Sequence, residues 1–240
     1  MSISGTYNVT FAILPLLTAQ VELLLNYSSW KTILSPDPLL FPNLPNDTVP
    51  VVVELGREIQ TGPGSIKLDF QEAKLEVPNL SRLTKEPSTP FTFKTHIFVD
   101  QAIDVFGSFV EFGLPTSLET FVPADSANVS GRGYPYSVKG AVESNFLTLG
   151  EGEEPRWGEE AYRNVSSQTW FGWSLLCGRH TYDYEHPVDT PAFVKGNVTL
   201  YPPYVGGADP VTFTNVHGLH ATFNFSIAGP EDCATLNSLD

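Results

Sequence analysis

The alternation of apolar and polar positions along the chain predicts many short strands and few helices. In the segment PFTFKTHIFVD, β-branched and aromatic residues occupy alternate positions from Phe91 to Val99, which is typical of a strand. Similar alternation predicts further strands at 6–11, 49–55, 66–78, 136–142, 144–149, 192–201, 210–215 and 220–227. Pro and Gly are spread between these runs as turn residues. The pattern indicates a β-rich chain, and we expect one domain over residues 1–240.

Two helices interrupt this pattern. After the strand that ends near Val99, apolar residues recur at three- and four-residue steps and predict one buried helix face: Ala102, Val105, Phe106, Phe109 and Val110. Asp100 is expected to cap the N terminus of this helix, and Gly113 and Pro115 are expected to end it. A second helix is predicted at 15–25, with Pro15 in its first turn.

The acidic composition of the chain argues against two classes of binding partner, nucleic acids and anionic membranes. The chain has 240 residues and a net charge of −14, so it lacks the basic surface that nucleic acids and anionic membranes require. The apolar run at 11–25 is too short to span a membrane and contains Gln20 and Glu22. We therefore expect a protein that does not span a membrane and does not bind nucleic acid.

The number of potential N-glycosylation triplets indicates the cellular compartment of the protein. Eight asparagines begin an Asn-x-Ser/Thr triplet, where roughly two are expected by chance. Seven of them are taken as candidate glycosylation sites: Asn8, Asn26, Asn46, Asn128, Asn164, Asn197 and Asn224. This excess favours a glycoprotein in the secretory lumen or outside the cell, with a cytoplasmic protein as the alternative. The sequence shows no signal peptide, and we expect that a leader ahead of Met1 has been removed. Cys177 and Cys233 form either one disulfide or two buried thiols.

The segment from Pro90 to Phe121 carries a family resemblance. It has a Pro-Phe-Thr-aromatic opening, a strand ending at Asp100, a helix, and then Gly113-Leu-Pro115. In these features it resembles the acetoacetate decarboxylase-like superfamily, in its divergent, largely fungal and bacterial branch. The resemblance implies an α+β fold, with a curved antiparallel sheet or cone-like β-barrel around an internal cavity and a few helices. In true decarboxylases two lysines follow the proline, and the first forms a Schiff base. Here Thr116 and Ser117 stand there, and neither can form an imine.

Two glutamates are candidate catalytic residues. Glu54 lies inside the apolar run VPVVVEL, where a carboxylate costs several kcal/mol unless it is paired, protonated or hydrated. The resemblance places Glu54 and Glu72 at the positions of the glutamates that line the family's pocket. Pairing of Glu54 with Arg57 and plain solvent exposure of Glu72 remain alternatives. With them we group Thr116 and Ser117 as hydroxyl donors to a substrate carbonyl.

Aromatic residues are the candidate ligand contacts. The segment QTWFGW clusters large rings, which suits a hydrophobic ligand, although an ordinary aromatic core is the alternative. The predicted ligand-contacting set is Trp170, Phe171, Trp173, Phe93 and Phe109. Lys94 alternates with Phe93 along its strand and is expected to face solvent. The spacing of His180, Asp183 and His186 fits no metal site, so neither a metal nor a cofactor is expected.

These observations lead to three hypotheses about function. The first is a natural-product tailoring enzyme that binds a hydrophobic small molecule and promotes cyclisation, of pericyclic or Diels–Alder type, or isomerisation, without a Schiff base. The second is a lysine-independent decarboxylase or aldolase-dehydratase acting on a keto acid. The third is a non-catalytic carrier of hydrophobic ligands. Each of them leaves room for a homo-oligomer.

Overall fold

The computed structural model describes residues 3–25, 32–83, 85–124 and 135–237, and the predicted glycosylation sites Asn26 and Asn128 lie outside these ranges. The helices of the described residues are α1 (Thr18–Leu25), α2 (Ala102–Phe112), α3 (Glu159–Ser166) and α4 (Cys233–Asn237). The strands are β1 (Ile3–Leu17), β2 (Thr32–Ile33), β3 (Thr48–Pro63), β4 (Leu68–Ser81), β5 (Pro90–Val99), β6 (Thr116–Leu118), β7 (Phe121–Val122), β8 (Pro135–Val138), β9 (Val142–Thr148), β10 (Thr169–Phe171), β11 (Cys177–Tyr182), β12 (Ala192–Leu200) and β13 (Val211–Glu231).

Seven strands of the described chain close into a barrel. Their order is β1, β3, β4, β5, β10, β11 and β13, and β13 returns to pair with β1. Neighbouring strands are antiparallel except β5 and β10, which run parallel. None of the described helices is long and apolar enough to cross a membrane. The predicted β-rich α+β fold with a curved, mainly antiparallel barrel is confirmed.

A second layer of strands covers part of the barrel's outer face. The sheet continues from β13 through β12, β9, β8 and β7. Outward residues of the barrel, such as Leu14, Val51 and Leu75, share one buried apolar core with Phe146 and Val198 of this layer. The inward side chains are also shielded from bulk solvent, so β3, β4 and β5 are buried on both faces along much of their length. This arrangement decides which side chains can reach the cavity.

The first helix begins later than the sequence predicted. β1 runs to Leu17, so the expected helix start at Pro15 is wrong. Leu14 and Leu16 are fully buried, and this alternation continues the strand past Pro15, which lies opposite Pro50 of β3. α1 then starts at Thr18.

The second helix is correctly placed, but its predicted cap and packing are wrong. Asp100 accepts a hydrogen bond from the Gln71 N–H at 3.0 Å instead of capping α2, so it ties β4 to the end of β5. The expected buried face is largely exposed, since Phe106 is 69% and Phe109 is 65% exposed. The predicted stop is confirmed, because Gly113 has a φ of 62° and donates its N–H to the Phe109 carbonyl at 2.9 Å.

One disulfide joins distant parts of the chain. Cys177 at the start of β11 bonds to Cys233 at the start of α4, with 5.0 Å between their Cα atoms and a sequence separation of 56. Both cysteines are buried in the outer apolar core. The structure thus selects the disulfide over two free thiols.

Candidate active site

The barrel encloses a cavity of about 430 Å³, bounded by α2 and by residues of all seven barrel strands, with β1 contributing Ile3. Most of its wall is apolar, and the side chains that form this wall include Ile3, Ile66, Leu68, Phe70, Ile97, Val99, Ile103, Phe112, Leu114, Trp170 and Ile227. Exposed Ile66 and Ile103 mark where the cavity meets solvent. Five charged or titratable side chains interrupt the apolar wall deep in the barrel: Glu58, Glu72, Lys74, Lys94 and His180.

We call these five side chains the polar floor of the cavity. Lys74 on β4 lies at its centre. Its Nζ lies 2.6 Å from Glu72 Oε2, 3.2 Å from Glu54 Oε2 and 3.6 Å from Glu58 Oε1. The three glutamates and the lysine are all buried, and the Lys74 ammonium also lies 4.6 Å from the centre of the Tyr7 ring. The register explains the cluster, because Glu54 pairs with Lys74 across β3 and β4 and all these side chains point into the barrel. Glu54 is therefore paired, as one alternative expected, but its partner is Lys74 and not Arg57.

A second buried ion pair lies beside the first. Lys94 on β5 donates to Glu76 Oε1 at 2.5 Å, and its Nζ is 5.0 Å from the centre of the Trp170 ring. Lys94 is only 1% exposed, so the expectation that it faces solvent is wrong. The expectation failed because it assumed that one face of β5 is wet. Phe93 packs outward into the apolar core while Lys94 points into the cavity.

Burial and neighbouring charges shift the pKa values of Lys74 and of the glutamates around it. Burial, followed by the charge of Glu76, raises the pKa of Glu54 to about 7. Burial and the neighbouring Glu72 raise the pKa of Glu58 well above its usual value, and the two carboxyls are hydrogen-bonded to each other. Burial alone would lower the pKa of Lys74, but Glu72, Tyr7 and Glu54 hold it well above its ordinary value. The floor therefore combines a lysine cation with carboxylic acids that keep their protons towards neutral pH.

Two further titratable groups face the cavity. Burial and the nearby ammoniums of Lys94 and Lys74 lower the pKa of His180 well below its ordinary value, so its imidazole is neutral at pH 7. Asp104 on α2 also lines the cavity, and burial, then Glu72 and Asp100, raise its pKa to about 7. A neutral base and an acid that titrates near neutrality are the kind of groups that general acid–base catalysis uses.

The predicted site residues separate into those at the cavity and those away from it. Glu72 and Trp170 line the cavity, and Glu54 lies behind Lys74. Thr116 and Ser117 are half-buried on β6, next to β5, and are not part of the wall. Phe93 and Phe171 pack together in the outer core, with 5.2 Å between ring centres. Trp173 and Phe109 are more than half exposed at the surface.

Sequence reasoning missed several floor residues. Lys74 shares its strand parity with Glu72 and Glu76, and this shared parity was the available signal. Glu58 follows Glu54 by four residues on the same inward face of β3. His180 was weighed only as a metal ligand. Within the described ranges, no group of three or more His, Cys, Asp or Glu side chains is arranged to hold a metal ion.

Comparison with known proteins identifies the fold. No family model matches the sequence, and no curated protein resembles it in sequence. Among solved structures, the enduracididine biosynthesis enzyme MppR complexed with pyruvate gives a TM-score of 0.59 at 12% identity, covering 95% of this chain and 89% of that one. MppR complexed with the condensation product of pyruvate and imidazole 4-carboxaldehyde gives 0.57 at 13% identity, with 95% and 88% covered.

An acetoacetate decarboxylase from Legionella pneumophila gives a TM-score of 0.55 at 12% identity, covering 94% of this chain and 84% of that one. At such low identity the likeness shows the fold alone. The chain therefore has the acetoacetate decarboxylase-like fold that the segment from Pro90 to Phe121 predicted.

Proposed function

We propose that this chain is an enzyme that binds a largely apolar carbonyl compound in the barrel cavity and moves a proton next to the carbonyl group. The compound would then isomerise, dehydrate or cyclise, as expected of a natural-product tailoring enzyme. One observation carries the proposal: buried acid–base groups form the floor of an otherwise apolar cavity. Such a floor is costly to bury, and it is a common feature of sites that move protons.

The wall supports a compact apolar ligand. A volume of about 430 Å³ is in the usual range for small-molecule sites. Trp170, Phe70 and Phe112 offer aromatic surface to the body of the ligand. Because the polar groups cluster deep in the barrel, the carbonyl end would point inward and the apolar end towards α2.

The floor supplies both halves of a proton transfer. The carboxylate of Glu72, held 2.6 Å from the Lys74 ammonium, would take a proton from the carbon next to the carbonyl. The electron pair released moves to the carbonyl oxygen, which the Lys94 ammonium and the protonated carboxyl of Glu58 can stabilise. Return of the proton to a different carbon completes an isomerisation.

Other predicted residues have supporting or no roles in this scheme. Glu54 lies outside the cavity wall and would hold the Lys74 ammonium in place from behind, at 3.2 Å. The proposal gives no step to Thr116 and Ser117, which lie on β6. A neutral His180 could serve as an additional proton acceptor at the floor.

Hydrogen exchange in heavy water tests the proposal. The protein is incubated with a panel of apolar ketones and enones, and deuterium uptake next to the carbonyl is read by NMR. We expect exchange with a subset of these compounds, and a loss of roughly 100-fold or more in Glu72→Gln. Glu22→Gln, on the exposed surface of α1, is the matched control and should be unchanged.

Two results would contradict the proposal. The first is deuterium exchange that continues in the Glu72→Gln variant, because this result would show that the Glu72 carboxylate is not the base. The second is tight binding of compounds that show no exchange and no chemical change, which would favour the carrier hypothesis.

A second candidate function rests on the position of Lys94. Its amine lines the cavity, so a lysine is available even if Thr116 and Ser117 stand where the resemblance places the decarboxylase lysines. The nitrogen of a neutral Lys94 would attack a keto-acid carbonyl carbon and water would leave, which gives an imine. In a decarboxylase the bond to the carboxylate then breaks, carbon dioxide leaves, and the electron pair moves to the imine nitrogen.

Borohydride trapping separates the two candidates. The protein is incubated with keto acids and borohydride, and the adduct is located by intact and peptide mass spectrometry. A reduced adduct on Lys94, accompanied by carbon dioxide release and lost in Lys94→Met, would replace the proton-transfer proposal with lysine chemistry. Exposed Lys139→Met is the control. No adduct, together with deuterium exchange, would support the proton-transfer proposal.

A further inference from the structure

We propose that this chain carries N-linked glycans at Asn46, Asn164, Asn197 and Asn224, and that Asn8 stays unmodified. These five asparagines and Asn79 begin the Asn-x-Ser/Thr triplets that lie within the described residues. Asn79 is buried and its Oδ1 accepts a hydrogen bond from Gln168 Nε2 at 3.0 Å, so we expect it to stay unmodified as well. The structure separates them by accessibility, which the sequence pattern alone cannot do. This inference is independent of the proposed activity.

The four proposed sites present their side chains to solvent. Asn46 lies in the loop before β3, Asn164 on α3, Asn197 on β12 and Asn224 on β13, and all four are exposed. The oligosaccharide bonds to the amide nitrogen of asparagine, so a folded protein can retain a glycan only where this atom faces solvent.

At two of these sites the side-chain hydrogen bonds to other described residues do not involve the amide nitrogen Nδ2. Asn224 accepts a bond from the Thr6 hydroxyl through Oδ1 at 3.1 Å. Asn164 accepts one from Gln168 Nε2, also through Oδ1, at 3.4 Å. Both bonds use the amide oxygen, so a sugar on Nδ2 would not break them.

Asn8 differs from these four sites because it is half-buried. It lies in the middle of β1 and pairs with Arg57 of β3 on one side and Thr222 of β13 on the other. Its Oδ1 is fully enclosed. The hydroxyl of its triplet, on Thr10, is buried and bonded to His220 Nδ1 at 3.0 Å. Because the Asn8 side chain lies between two paired strands and its oxygen is enclosed, a glycan has less room here than at the four exposed sites.

The disulfide is an independent observation that points to the same compartment. Glycosyl transfer to asparagine takes place in the secretory lumen, and disulfides persist in oxidising compartments of this kind. Cys177 and Cys233 form such a bond in the outer core. A cytoplasmic location would leave both features unexplained.

Isotope-labelled deglycosylation of protein from the native source tests the inference. A peptide N-glycosidase in ¹⁸O-water converts each glycosylated asparagine into labelled aspartate, which is located by peptide mass spectrometry. We expect label at the four exposed sites and none at Asn8 or Asn79. An intact mass that the glycosidase does not change, or label at Asn8 comparable to that at the other sites, would overturn the inference.

A matched variant and a thiol assay sharpen the result. Ser226→Ala keeps Asn224 but removes the hydroxyl its triplet requires, so the intact mass should fall by one glycan. Alkylation without reductant should leave Cys177 and Cys233 unlabelled. Rapid labelling of both cysteines in the folded native protein would contradict an oxidising compartment.

Discussion

The two faces of β4 are both buried but have opposite chemistry. Glu72, Lys74 and Glu76 point into the barrel and form ion pairs. Ala73, Leu75 and Val77 alternate with them and point outward into the apolar core shared with the second layer. In many sheets such alternation separates solvent from core. Here it separates a candidate site from the core.

The two faces contribute to stability in different ways. The outer face gains stability by burying apolar surface. The inner face removes several charges from water, and their mutual attraction offsets this cost only while every partner is present. We infer that the inner face is maintained for chemistry and the outer face for packing, so substitutions on the two faces should have different effects.

The largest expected effect comes from Lys74→Met. Methionine has similar length but leaves Glu54, Glu58 and Glu72 without their shared cation. We expect the free energy of unfolding to fall by roughly 3–5 kcal/mol, and proton exchange on carbonyl compounds to fall roughly 100-fold or more. Urea unfolding and deuterium exchange measure the two effects.

The exposed Lys139→Met is the control and should change neither quantity. A Lys74→Met variant of unchanged stability would show that the three carboxyls do not depend on the amine, and the contrast between the two faces of β4 would then fail.

The disulfide belongs to the outer face and should affect stability alone. Its 56-residue separation corresponds to about 4 kcal/mol in the chain-entropy model, an upper value for most proteins. We expect the double variant Cys177→Ser/Cys233→Ser to unfold at lower denaturant concentration and to keep full exchange activity while folded. Lost activity in the folded variant would show that the outer core also positions the site.

Leu75→Ala is the closest matched partner of Lys74→Met, because the two residues are adjacent and point to opposite faces. Leu75 is fully buried, so the change should leave a cavity and lower stability by about 3 kcal/mol. Activity per folded molecule should stay within about 2-fold of the unmodified chain, since the variant removes no group that takes part in proton transfer. A loss of activity as large as that of Lys74→Met would remove the distinction between the faces.

The sequence predicted the fold better than it predicted the site. Local alternation placed most of the longer strands, although not β10 and β11 of the barrel. The segment ending at Gly113-Leu-Pro115 led to the family resemblance. Both signals are encoded by neighbouring residues. Lys94 was misjudged because strand parity cannot show that a second layer covers the other face of β5. The exposed face of α2 was missed for a similar reason, since apolar spacing predicts a helix but not its partner.

The grouping around Lys74 could not be predicted in full because it depends on the register between β3 and β4. Glu54 and Glu72 were identified one at a time, from an apolar strand and a family motif. Only the pairing of Glu54 with Lys74 brings them to a common amine. Charges that are close in space and distant in sequence leave no local pattern.

The smallest expected effect is a pH dependence specific to the inner face. Burial raises the pKa of Glu54 from 4.5 to about 7, so the folded chain holds a proton that the unfolded chain has released within this window. The stabilisation linked to this proton is complete below about pH 4.5 and is lost as the pH rises to about 7. Glutamine cannot lose a proton, so the stability advantage of the unmodified chain over Glu54→Gln should shrink by roughly 1–3 kcal/mol across the window.

Urea unfolding of both chains at a series of pH values measures this difference. Groups that both chains share, such as His180, whose pKa burial lowers, largely cancel in the subtraction. Leu75→Ala is the control from the outer face, and its difference from the unmodified chain should be flat over the same pH range because leucine does not titrate. A flat difference for Glu54→Gln as well would mean that Glu54 stays ionised in the barrel. Glu54 would then form a permanent ion pair with Lys74, and the inner face of β4 would show no more pH dependence than the outer face.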